Sequence, residues 1–372
     1  MTHKRSAHHQ LLLQALINPE CLVDYSAADW DLLIRLARRV RLLGRLAVAL
    51  ESRHLLERIP ERAANQLISG LVQARKLQQQ NQWELNRVLW ALQDANIPLI
   101  VLKGTAYSLI GIPESVGRMY VDLDLMARRE DLVQIESILK REGWKHQQLS
   151  SYDEHYYRAW SHEIPPLVHE ERDAEVDIHH TIAPLTSRLK INTDLFFEKA
   201  VAVGNMKVSL LSPADMVIHC AVNLFQNNEL ADDLRDLLDL DDLLRFFSHQ
   251  EQDFWERLIE RANQLRLGRL LFYGLYFCQD ILGAMIPDDV MNRLNEQPGR
   301  VGLSVMHRLV PLALLPQHPD KPSRRATVAR TWLYLRSHWI RMPPYLLIRH
   351  LAYKTFLSVF PKKTTARTAD KR

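Results

Sequence analysis

Cysteine is scarce: the 372-residue chain has three, at Cys21, Cys220 and Cys278, far apart and set in apolar segments. An odd, scattered set offers neither a disulfide framework nor a zinc module, so a reducing, cytoplasmic setting is expected. Long apolar runs are missing too. The longest, Leu270 to Cys278, stops at Gln279-Asp280, well short of the ~18 residues a spanning helix needs, so no transmembrane segment is expected. Met1-Thr2-His3-Lys4-Arg5 leads into only a short apolar stretch, which predicts no signal peptide. The chain contains no G-x-G-x-x-G turn, no G-x-x-x-x-G-K phosphate loop and no G-x-S-x-G elbow, which disfavours dinucleotide, P-loop and Ser-hydrolase chemistry. Histidine is plentiful, yet His162-Glu163 lacks a second histidine four residues after the first, and His169-Glu170 has Asp173 there. Neither forms the helical His-Glu-x-x-His site of a zinc hydrolase. No fixed-period repeat is apparent.

At 47% hydrophobic and 25% charged, the chain has the composition of a globular protein with room for two or three domains. Its net charge of +4 conceals a division: residues 321–372 carry 13 Lys or Arg against one acid, a local +12, which leaves −8 on residues 1–320. A basic tail can meet nucleic acid, an anionic membrane face or the chain's own acidic body, and composition does not choose among them.

The informative stretch runs from Ile97 to Ala127. Ile97-Pro98-Leu99-Ile100-Val101-Leu102 is short, apolar and β-rich, and it ends at Lys103-Gly104-Thr105. Glycine lets the backbone turn tightly there, so that a following helix can present free N–H groups to an anion. After a helical spacer, Arg118-Met119-Tyr120-Val121-Asp122-Leu123-Asp124-Leu125-Met126 alternates. With period two, Asp122 and Asp124 share one face of a strand and Val121, Leu123 and Leu125 the other. The apolar face is expected to be buried and the acidic face open. Two carboxylates side by side repel, and burial would protonate one of them unless a cation sits between. A divalent metal is the natural partner. The plainer reading is a charged edge strand, but aspartate is disfavoured in strands, and two on one face need a reason.

These residues, in this order, resemble the uncharacterised bacterial nucleotidyltransferases related to the DNA polymerase β superfamily, in which a Gly-Ser pair opens a helix and an Asp-x-Asp strand follows. Here the pair is Gly104-Thr105, which keeps a hydroxyl but not serine. The resemblance implies a third carboxylate from a neighbouring strand, and Ala174-Glu175-Val176-Asp177-Ile178-His179-His180 alternates suitably, with Glu175, Asp177 and His179 on one face. Asp177 is the expected third acid and Glu175 its alternative; His179 would orient a carboxylate or substrate. The likeness continues through Leu211-Ser212-Pro213-Ala214-Asp215 to the helix bearing Arg235-Asp236 and Asp239. It implies a metal-dependent enzyme in which Asp122, Asp124 and Asp177 hold Mg²⁺ or Mn²⁺, and Lys103, Gly104, Thr105 and Arg118 contact an NTP, ATP being expected. Lys103 could equally be a solvated lysine, and Arg118 could pair with an aspartate instead of reaching a triphosphate. The acceptor, whether small molecule, sugar, RNA or protein, is not encoded in any readable motif. A catalytically degenerate nucleotide-binding or interaction module is the rival reading. Geometry separates the two: a carboxylate of Asp177 more than about 6 Å from both other aspartates could not share a closely spaced metal pair with them.

The expected architecture is α+β, a small mixed-sheet nucleotidyltransferase core flanked by helical domains: residues 1–94 helical, 95–185 the core, 186–320 helical and 321–372 a basic aromatic tail. In the N-terminal part Leu32, Leu33, Leu36, Ala37, Val40, Leu43 and Ala47 recur at helical spacing. Pro60 breaks that pattern before a long helix from about Arg62 to Asn96, whose cluster Gln78-Gln79-Gln80-Asn81-Gln82 reads as a solvated face. Ile97-Pro98 ends it. Helices are expected again at Ala214–Gln226, Leu230–Phe247, Asp253–Leu282 and Val301–Val310. From Thr331 to Phe360 aromatic residues interleave with Arg336, Arg341, Arg349 and Lys354, which fits either a terminal helix packed on the body or a surface for an anionic membrane or nucleic acid.

Overall fold

A computed structural model describes residues 5–146, 149–227, 230–294 and 296–349. The chain begins with helices α1 (Ala7–Ile17), α2 (Ala27–Arg39), α3 (Leu43–Glu51) and α4 (Glu61–Ala91). Helix α2 starts at a capping box, in which Ser26 accepts from the Asp29 N–H and Asp29 accepts from that of Ser26, and it buries Trp30, Leu33, Ile34, Leu36 and Ala37. Pro60 stands immediately before α4. The first turn of α3 lies so close to the Pro113–Gly117 turn that a Cβ on either Gly44 or Gly117 would fall 2.6 Å from the other's backbone. Only glycine permits that approach, and it fixes where the chain enters the Arg118–Asp124 segment.

Seven short strands form one mixed sheet: β1 (Ile100–Val101), β2 (Leu123–Met126), β3 (Trp144–His146), β4 (Leu167–His169), β5 (Glu175–His179), β6 (Val201–Ala202) and β7 (Ser209–Leu210), in the order β3-β4-β5-β2-β1-β7-β6. Strand β2 is central, antiparallel to β1 and parallel to β5. The sheet extends past residue 185, the expected end of the core, because β7 pairs parallel with β1 and carries β6 on its far side. Helices α5 (Lys103–Leu109), α6 (Leu132–Arg141), α7 (Ser151–Trp160) and α8 (Asp194–Glu198) fill the connections.

The remaining helices are α9 (Pro213–Val222), α10 (Leu234–Gln250), α11 (Phe254–Leu265), α12 (Gly268–Phe277), α13 (Arg300–Leu314) and α14 (Arg324–Arg341). The single helix expected over 253–282 breaks at Arg266, whose φ of +56° ends α11 in a left-handed cap. The architecture is α+β, with helices on both sides of the sheet in sequence. One contiguous apolar cluster nevertheless runs from Leu12 through the sheet to Leu333, so sheet and helices share a core. Helix α14 packs on the body through Ala326, Ala329 and Leu333. The part of the basic tail from residue 350 onward lies outside the described residues.

Candidate active site

The site is assembled where β1, β2 and β5 run side by side. The Leu102 N–H donates to the Asp124 carbonyl at 3.0 Å, which ties the end of β1 to β2. Lys103 then takes φ +48°, a left-handed conformation uncommon for a side-chain-bearing residue, and the chain turns into α5. In the parallel pairing of β2 with β5, Asp124 stands opposite Asp177 and Leu123 opposite Val176. Asp122 lies one residue before β2, and its carbonyl accepts from Asn81 Nδ2 of α4 at 2.7 Å. The result is that one carboxylate oxygen each from Asp122, Asp124 and Asp177 lie within 4.8 Å of one another, inside the limit that a shared metal pair requires.

The acidic face is not open. Asp124 is 3% exposed, and the buried His219 of α9 lies within electrostatic reach of it; burial, then Lys103 and His179, pull the His219 imidazole down to about 3, so it stands there neutral. Asp124 Oδ1 accepts from Lys103 Nζ at 2.6 Å and from His179 Nε2 at 2.9 Å. Burial opposes its ionisation, but Lys103 and His179 outweigh it and hold the carboxyl below its ordinary range. Burial likewise opposes the charge on Lys103, and Asp124 and Asp122 outweigh it, so the ammonium is held on. The other two acids move the opposite way. Asp122 is raised by Asp124 and then by burial; Asp177 is raised far above the carboxylate range by burial, then by Glu163, Asp124 and Asp122. Asp177 Oδ1 is buried with no hydrogen-bond partner. An orphaned carboxylate oxygen among two further acids and one ammonium is an environment a divalent cation would complete.

A cavity of about 240 Å³ opens beside these groups, lined by Lys103, Gly104, Arg118, Asp122 and Asp124, with Arg41 and Arg235 across it. Arg118 donates from Nε to Asp239 Oδ2 at 2.8 Å, and its guanidinium packs over Gly104 so closely that a Cβ there would collide with it. Arg118 is thus paired with an aspartate and also lines the cavity. Thr105 is turned elsewhere. Its hydroxyl is buried and donates to Asn81 Oδ1, so the expected phosphate contact through that hydroxyl does not match its position. Glu175 does not join the three aspartates; it lines a separate cavity of about 380 Å³ with Trp83, Arg172 and Val121.

A family model described as an uncharacterised nucleotidyltransferase matches residues 26–283 of the chain. The chain belongs to that family. No curated protein and no solved structure matches it. The matched span of this nucleotidyltransferase takes in all seven strands, the three aspartates and the Arg118–Asp239 pair, and ends before α13 and α14.

The candidate site has a fourth acid, Glu163, not anticipated in the sequence. Glu163 forms an isolated antiparallel bridge with His179, which brings its Oε2 to 3.6 Å from His179 Nε2 and 3.7 Å from His162 Nε2. Burial, before any neighbouring charge, raises its carboxyl. His162, Glu163 and His179 thus make a second group whose ligand atoms lie within 4.8 Å, next to the aspartates through the His179–Asp124 bond. The sequence signal is the doublet His162-Glu163, whose partner His179 comes from a strand and not from a shared helix.

Proposed function

We propose that this nucleotidyltransferase transfers a nucleoside monophosphate from an NTP, with ATP the expected donor, to an acceptor hydroxyl. The observation that carries this reading is the convergence of Asp122, Asp124 and Asp177 within 4.8 Å with Asp177 Oδ1 left unpartnered in the protein. Asp122, Asp124 and Asp177 would hold Mg²⁺ or Mn²⁺. A divalent ion bound there supplies charge compensation at the phosphates and lowers the pKa of an attacking hydroxyl.

The chain's own residues do the rest. Lys103, kept charged by Asp124, lines the cavity together with Arg41, Arg118 and Arg235 and the aspartates that face them. Arg118, held by Asp239, and Arg235, held by Asp236, present oriented guanidiniums to a triphosphate. Gly104 lets the Arg118 guanidinium lie directly against the turn that would face the phosphates. Asp177 takes the acceptor's proton as the acceptor oxygen bonds to the α-phosphorus and the bond to the β-phosphate breaks, so that pyrophosphate leaves. His179 fixes Asp124 from behind, with Glu163 beside it. Phosphoryl transfer asks chiefly for such positioning and charge compensation.

The test is direct. Protein with α-labelled NTPs and Mg²⁺, offered a cell extract, should pass label to one class of acceptor, and Asp177→Asn should stop transfer while NTP binding persists. Transfer that survives Asp177→Asn but not Glu175→Gln would reassign the third acid. Metal-dependent NTP binding without transfer to any acceptor would establish the non-catalytic alternative.

A further inference from the structure

Helix α14 has two apolar sides. One, Ala326, Ala329 and Leu333, is buried against the body. The other carries Val328, Trp332, Leu335 and Trp339, which are 56%, 62%, 41% and 47% exposed. At 100° per residue, these four fall within an arc of about 60° and extend along about 16 Å of helix. Tyr345 and Ile348, each 70% exposed, follow beyond Pro343-Pro344. Helix α4 also exposes Ile68, Val72, Trp83 and Trp90 on one arc, but they are spread over about twice the length of the α14 stripe, and the Arg87 guanidinium packs against both tryptophans. The stripe lies outside residues 26–283, the span of the family match, so it is an addition to the catalytic unit.

The exposed charges flanking the stripe are mainly basic, and the acid at its start, Asp320, is paired with Arg35. Lys321, Arg324 and Arg325 are exposed at its start and Arg349 at its end, and the exposed Arg188 guanidinium lies 5.0 Å from the Trp339 ring. Arg330 is taken by Asp232, and Arg336 donates to the Phe225 carbonyl; these secure the inner face. Residues 321–372 carry 13 Lys or Arg and one acid.

We propose that this face of α14 is a docking surface for an anionic lipid bilayer, on which the helix lies in the plane of the interface. Tryptophan and tyrosine prefer the headgroup level, aliphatic side chains reach the acyl boundary, and arginines meet anionic headgroups. A second copy fits less well, since a two-fold contact would set this basic patch against itself. Nucleic acid would use the arginines but leave Val328, Leu335 and Ile348 without a partner.

The experiment is flotation of the full chain with vesicles of phosphatidylcholine alone and of equimolar phosphatidylcholine and phosphatidylglycerol. Binding is expected to the anionic vesicles, weakening with salt, with quenching of tryptophan fluorescence by lipids brominated in the acyl chain. Trp332→Ser with Trp339→Ser should lower binding at least about tenfold, and Arg324→Gln with Arg325→Gln roughly thirtyfold. Both variants should keep the wild-type melting temperature, since they alter exposed side chains. Failure of the wild type to bind anionic vesicles would overturn the proposal. So would binding unchanged in the tryptophan variant without bromolipid quenching, concentration-dependent dimerisation abolished by that variant, or salt-sensitive RNA retention without vesicle binding.

Discussion

Asp124 and Asp177 are register partners in the parallel pairing of β2 with β5, yet their ionisation is driven in opposite directions. Asp124 is held below its ordinary range because Lys103 and His179 outweigh its burial. Asp177, buried beside Glu163, Asp124 and Asp122 with little cationic compensation, is pushed up to about 9. Under the proposed function Asp124 would be the fixed charge and Asp177 the proton carrier.

The first prediction concerns that proton. At neutral pH the metal-free protein keeps Asp177 protonated, so binding of Mn²⁺ or Mg²⁺ should release it, and affinity should tighten by up to about tenfold per pH unit toward pH 9. The folded-state pKa is raised, so the stability contributed by Asp177 is full below the unfolded carboxyl value and is lost as pH rises through about 9. The metal-free protein should therefore lose stability between neutral pH and pH 9, and Asp177→Asn should flatten that loss. Titration calorimetry in buffers of different ionisation enthalpy measures the proton directly. A metal affinity independent of pH over this range would contradict the assignment.

The second prediction tests the pair on β2. Mg²⁺ or Mn²⁺ with ATP should raise the melting temperature, corresponding to about 2.7 kcal/mol at a hundredfold excess over the dissociation constant. Asp122→Asn with Asp124→Asn should remove that shift. If the shift persists in the double variant, metal and nucleotide are bound elsewhere in the chain.

Much of this site was legible because strands have period two: that rule alone places Asp122 and Asp124 on one face, and Asp177 on a face with Glu175 and His179. Which acid meets the pair depends on register, and only the alignment of Leu123 with Val176 brings Asp177, not Glu175, opposite Asp124. Glu163 was hidden because its bridge to His179 is a single long-range pairing with no repeating pattern to betray it. Asn81 was hidden by its setting: Gln79, Gln80 and Gln82 are exposed as expected, but Asn81 points inward to Asp122 and Thr105. The break at Arg266 was harder to read, since the left-handed cap falls on an arginine and the nearby Gly268 opens the next helix.

The third prediction concerns Arg118. Arg118 and Asp239 are both largely buried and joined at 2.8 Å. Removing one partner leaves the other charge buried and unpaired, so Arg118→Met should cost about 3–5 kcal/mol. Arg118→Met with Asp239→Leu should recover a large part of the loss while NTP affinity remains low, because the cavity has lost a cation. Chemical denaturation and nucleotide titration separate the two effects. Full stability in the single variant would mean that the ion pair holds nothing in place.

The last prediction tests the assignment of Thr105 to the interior. Its hydroxyl donates to Asn81 Oδ1, while Asn81 Nδ2 holds the Asp122 carbonyl at 2.7 Å; the three groups form a chain from α5 through α4 to the start of β2. Thr105→Val keeps the shape and removes the donor, leaving a buried amide oxygen unsatisfied, so a loss of about 1–3 kcal/mol of stability is expected. Nucleotide affinity, measured well below the melting temperature, should change less than about threefold, since a hydroxyl bonded to Asn81 inside the fold gives nothing to a phosphate. Thr105→Ser preserves the donor and should restore most of the stability. The opposite pattern, stability unchanged and nucleotide binding lost in Thr105→Val, would show that the hydroxyl turns toward the phosphates when nucleotide is bound.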